Sequence, residues 1–133
     1  MNPEGLDLYP SQQGPAATME RVIAAVTRRG MAVMARIDHA AAAKKVGLDL
    51  RPTELLIFGN PKGGTPLMQA AQTLGIDLPL KALVFEDSAG KTWLAINAPK
   101  WLAARHGGAA GAEKAVGAMT AVLADIAKEV TGP

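Results

Sequence analysis

The chain contains no cysteine. Disulfides, thiolate metal sites and a cysteine nucleophile are therefore excluded, although this alone does not fix the compartment. Aromatic residues are only 4% of the 133, so the core must rest on Leu, Ile, Val, Met and many alanines. Alanine favours helix and close packing but buries little area, which implies a modest stability that self-association would raise. Neither charge sign is in excess: 14 Lys and Arg stand against 12 Asp and Glu. The densest basic pairs, Arg28-Arg29 and Lys44-Lys45, read as solvated helix ends, so no nucleic-acid partner is expected. No apolar run approaches the roughly 20 residues of a membrane span, so no membrane partner is expected either. The opening residues show neither a basic nor an apolar leader region. A soluble cytoplasmic protein is the expectation.

What remains is a globular composition, 49% hydrophobic and 20% charged, of a length that fits one domain over residues 1–133. Leu6, Leu8 and Tyr9 suggest a short first strand. Met19, Val22, Ile23 and Val26 fall at i, i+3, i+4 and i+7, which predicts a helix over 16–29 with Gly30 as its left-handed cap. Residues 31–38 alternate as a strand, with Met31, Val33, Ala35 and Ile37 on one side. Continuing the alternation by one residue places His39 beside Ile37, toward the core. A short alanine-rich helix follows and ends at Gly47.

Three further segments are apolar on both faces: Leu55 to Phe58, Leu80 to Phe85, and Trp93 to Ile96. Asp87 to Gly90 reads as the hairpin loop between the last two. An antiparallel sheet with helices on one side should have a wetter second face, so something is expected to cover it. Either a helix of the same chain or another subunit would serve. Asn97-Ala-Pro99 opens a further helix ending near Gly107-Gly108, and a last helix is predicted over 111–130. Trp93 and Trp101 read as core or interface residues.

The stretch Thr53 to Met68 carries a strand, a turn dense in glycine and proline, and a helix start placed at Thr65 with Pro66 in its first turn. Gly59 and Gly64 have the spacing of a phosphate loop, but Thr65-Pro66 stands where its lysine and hydroxyl should follow. That reading fails. Two alternatives remain. The turn reads either as offering free N–H groups to an anion beside Lys62, or as a tight corner that Asn60 caps with its own side chain. His39 is the second candidate, as a general acid–base or as a hydrogen-bonded structural residue. His106 lies far along the chain at a helix end, and neither a His-x-x-x-His nor an acidic triad spacing occurs, so no metal site is expected. Pairing His39 with Met68 on a haem has little support from spacing, and the cofactor stays unassigned. Asp77 to Lys81 reads as a loop entering a strand.

In order, Ile37-Asp38-His39, Ala43, Gly47, Pro52-Thr53, Ile57 to Pro61, Gly64 to Met68, Asp77 to Lys81, and the Trp93 strand leading to Asn97-Ala-Pro99 resemble the "domain of unknown function 302" family of bacterial and archaeal proteins. The resemblance covers about residues 16–107. It implies an α+β fold, a two-layer α/β sandwich of an antiparallel sheet with helices packed on it, similar to a single TATA-binding-protein repeat. It also implies a homodimer, which would account for strands apolar on both faces. No activity is attached to the family. The leading expectation is a dimeric module binding a small molecule or anion between His39 and the 59–65 turn, with His39, Asn60, Lys62 and Thr65 converging. The alternatives are an enzyme using His39 as acid–base, and a purely structural or partner-binding dimer.

Overall fold

The computed structural model describes residues 2–133. Five strands form one sheet: β1 (Leu6–Pro10), β2 (Ala32–Asp38), β3 (Thr53–Gly59), β4 (Leu80–Glu86) and β5 (Thr92–Asn97). Their order is β1-β5-β4-β3-β2, with every neighbouring pair antiparallel. The helices are α1 (Pro15–Arg28), α2 (His39–Lys45), α3 (Pro61–Ala70), α4 (Pro99–Arg105) and α5 (Glu113–Thr131), with a 3-10 helix at Gln72–Ile76. This is an α+β fold in two layers.

The 3.6-residue stripe of α1 buries Met19, Val22, Ala25 and Val26, and that of α5 buries Leu123, Ile126, Ala127 and Val130. Together they seal one face of the sheet over Leu56, Phe58, Ala82, Val84, Leu94 and Ile96. The register places these strand residues in one row, since Leu56 opposes Ala82 and Ala82 opposes Ile96. A second, smaller core gathers Leu67, Leu74, Leu102, Ala103 and Val116. Leu78 and Met119 pack against both cores. Trp101 belongs to the second core and lies over Gly5, where a Cβ would fall 2.3 Å from its ring.

The opposite face of the sheet carries Ile37, Leu55, Ile57, Leu83, Phe85 and Trp93, all partly exposed. The two helices that seal the first face do not reach it. Among the described residues no helix buries this row, so a helix of the same chain is not its cover. The Asp87 hairpin has the expected form: Asp87 Oδ1 accepts from the N–H groups of Ala89 and Lys91, and Oδ2 accepts from Trp93 Nε1 at 2.9 Å.

Two local expectations are corrected. In β2 the pairing shifts between Val33 and Ala35, so Val33 opposes Phe58 while Ala35 and Ile37 oppose Ile57 and Leu55. The extra residue, Met34, breaks the alternation, and the four apolar residues do not share a side. His39 does not continue the strand toward the core. Asp38 leaves the sheet and caps α2 by accepting from the Ala41 N–H at 2.9 Å, so His39 begins a helix and is exposed.

Candidate functional site

The start of α3 is five residues earlier than Thr65-Pro66 suggests. Asn60 is the cap and Pro61 the first helical residue, where a missing N–H has no consequence. Asn60 Oδ1 accepts from the Lys62 N–H at 3.0 Å, and the Asn60 carbonyl accepts from Gly63 and Gly64. The N–H groups that a free helix terminus would turn toward an anion are thus consumed within the turn. Gly63, Gly64 and Pro66 lie inside the helix, and Pro66 removes the bond its N–H would give to the Lys62 carbonyl. Of the two readings of this corner, self-capping by Asn60 is the one observed.

Beside this corner lies a cleft of about 670 Å³. Its walls come from separate parts of the chain. Met31 follows α1, Met34 sits at the β2 bulge, Met68 is on α3 and Met119 is on α5. Leu78, Leu80 and Val122 complete the apolar surface. Asn60, Lys62 and Thr65 form the polar rim, with Arg29 on the same boundary. Arg29 is already engaged, giving hydrogen bonds to the Ala25 carbonyl and to Glu129. Lys62 has no ion-pair partner among the described residues. Among the described residues, no carboxylate lines this cleft.

Three of the four residues singled out from the sequence, Asn60, Lys62 and Thr65, therefore share one cavity. His39 does not join them. Ala32 opposes Gly59 and Asp38 opposes Glu54, so His39 and the turn lie at opposite ends of the β2–β3 pair. Five residues of strand separate those ends, about 17 Å at 3.4 Å per residue. His39 has no side-chain hydrogen bond among the described residues. It stands instead near a second cavity of about 660 Å³, bounded by Asp38, Asp49, Glu54 and Glu86, with Lys44 as its cation.

The histidine that the fold does organise is His106. Its Nε2 lies 2.5 Å from Asp77 Oδ2 and its Nδ1 lies 2.8 Å from Thr73 Oγ1. Arg105 Nη1 donates to both Asp77 oxygens at 2.8 and 2.9 Å. With the ring neutral, the carboxylate accepts the Nε2 proton and leaves Nδ1 to accept the Thr73 hydroxyl. Burial pushes the Asp77 carboxyl up, but the hydrogen bonds and charges of His106 and Arg105 outweigh it and hold the group below its usual value. The cluster ties the end of α4 to the 3-10 helix, directly before Leu78 in the cleft wall. Reading Asp77 only as a loop residue and His106 only as a helix end missed it. Their separation of 29 residues carries no sequence signal.

No helix among the described residues is long and apolar enough to cross a membrane. The architecture and cleft define a two-layer α+β domain with an apolar cavity at one end of its sheet. The family described as "Domain of unknown function DUF302" matches residues 9–126, and the chain belongs to that family. A crystal structure of an uncharacterized conserved DUF302 protein from Bacillus stearothermophilus superposes with a TM-score of 0.85 over 96% of this chain and 99% of that one. At 19% identity it shows the shared fold. Among curated proteins, one named "Fluoride-specific ion channel FluC 1" from Brucella suis biovar 1 (strain 1330) is 47% identical over 128 residues, 96% of this chain and 50% of that protein. A protein of the same name from Brucella abortus biovar 1 (strain 9-941) is also 47% identical, over 96% of this chain and 47% of its own length. The chain spans about half the length of these curated relatives.

Proposed function

We propose that the chain is a binding module that takes up a small, largely apolar molecule in the cleft beside Asn60. The supporting observation is the convergence of Met31, Met34, Met68 and Met119, from three elements and the turn between α1 and β2, on one cavity. Methionine is unbranched and polarisable, so a wall of methionines adapts to an apolar guest. A cavity of about 670 Å³ is within the range that buries a small organic molecule. Titration with the neutral fluorophore Nile red tests this. Saturable binding is expected for the parent chain. Val122→Glu and Met34→Glu place a carboxylate on partly exposed positions of the wall. They should weaken binding by about tenfold or more while the far-ultraviolet circular dichroism is unchanged. Equal binding in parent and variants would refute the cleft as the site.

A second reading concerns assembly, and the row Ile37, Leu55, Ile57, Leu83, Phe85 and Trp93 supports it. A homodimer would bury these residues against their own copies, as a two-fold interface requires. Acid–base chemistry at His39 finds less support, because His106 is the histidine with a carboxylate and a hydroxyl in reach. We also infer that the channel named in the Brucella relatives belongs to the half this chain does not match. That no helix among the described residues is long and apolar enough to cross a membrane, and that the sheet is open with two edges, β1 and β2, support that division.

A further inference from the structure

We infer that the guest of the cleft is amphipathic: an apolar chain or ring ending in a single carboxylate. This rests on the reading of the cleft as a binding site and adds the chemistry of the ligand's polar end. The apolar depth of the cavity requires an apolar body, since a polar one would lose its hydration there without replacement partners. The rim is rich in hydrogen-bond donors and carries a cation. Lys62 Nζ, Asn60 Nδ2 and Thr65 Oγ1 have no hydrogen-bond acceptor among the described residues, and all three border the same cavity. Asn60 Oδ1 already accepts from the Lys62 N–H.

The rim therefore presents donors and one uncommitted positive charge, and among the described residues no carboxylate lines the cavity to oppose an anion. The second cavity shows the reverse balance, with Asp38, Asp49, Glu54 and Glu86 against Lys44. An ammonium head would meet the charge of Lys62 with no carboxylate among the described residues lining the cleft to offset it, and a neutral alcohol would use only part of the donor set. A carboxylate, with two oxygens and no proton to place, matches three donor groups, one of them a cation. The binding does not depend on the helix terminus, whose N–H groups Asn60 already occupies.

Competition against bound Nile red tests this with three guests of equal chain length: decanoate, decanol and decyltrimethylammonium. In the parent chain decanoate should displace the dye at a concentration about fivefold or more below the other two, the scale of one charge-assisted hydrogen bond at an open rim. Lys62→Gln should abolish that advantage and leave decanol unchanged. Asn60→Asp retains a capping oxygen but replaces the amide donor by a charge, so it should weaken decanoate further than decanol. Equal displacement by all three guests, or a decanoate advantage that survives Lys62→Gln, would overturn the carboxylate assignment while leaving the cleft intact as a site. Failure of Nile red to bind the parent chain would overturn the cleft reading, and the ligand assignment with it.

Discussion

Asn60 satisfies three backbone N–H groups, that of Lys62 through its side chain and those of Gly63 and Gly64 through its carbonyl. Only the first depends on the side chain. Asn60→Ala should therefore lower the unfolding free energy by about 1 kcal/mol, and Asn60→Asp by much less, in urea denaturation. Asp77 acts at the same scale through charge. Its carboxyl is held below the ordinary value of 3.8, as His106 and Arg105 outweigh the upward push of burial. A group lowered in the folded state stabilises fully above its unfolded value, and that contribution is lost as pH falls through the lowered one. Asp77→Asn should thus reduce the urea midpoint at pH 7, with the gap to the parent closing as the pH drops below about 4. A gap of the same size at both pH values would show that the clamp contributes nothing through its charge.

At the scale of elements, what could be read from the sequence depended on how local the cause was. Helices α1 and α5 follow from apolar spacing alone, and Met19, Val22 and Val26 of the expected α1 stripe are buried. The β4–β5 hairpin follows from Asp87 and Gly90. The start of α3 was ambiguous for a physical reason. Asn60-Pro61 and Thr65-Pro66 both place a capping side chain before a proline, and the glycine pair between them looks like turn. The structure puts Gly63 inside the helix with open space where a Cβ would stand. Gly63→Ala should accordingly raise stability by about 0.5–1 kcal/mol, measured by thermal or urea unfolding. A loss of stability would indicate that the backbone there needs glycine. His39 was misplaced because alternation was extended one residue past Asp38, whose capping of α2 ends the strand. The methionine wall and the Asp77–His106 pair were not legible at all, since each joins residues that only the tertiary fold brings together.

At the scale of the whole molecule, one sheet face is sealed by α1 and α5 and the other is apolar but partly exposed. If two copies meet there, light scattering should return a dimer mass for the parent chain. Leu83→Asp, which places a charge in the middle of that row, should return a monomer with unchanged circular dichroism. A monomeric parent would leave the exposed row without a second copy. The division of the molecule also separates the candidate residues: the cleft lies at one end of the β2–β3 pair and His39 at the other.

The site-resolved measurement that tests the cleft most directly is a decanoate titration followed by nuclear magnetic resonance of methionine methyl groups and histidine rings. The methyls of Met31, Met34, Met68 and Met119 line the cavity, whereas Met19 is fully buried in the main core. Saturable shifts of the four cleft methyls are expected, with Met19 and the His39 ring unmoved. Unmoved cleft methyls alongside a shifting His39 ring would contradict the cleft and return the site to the other end of the sheet.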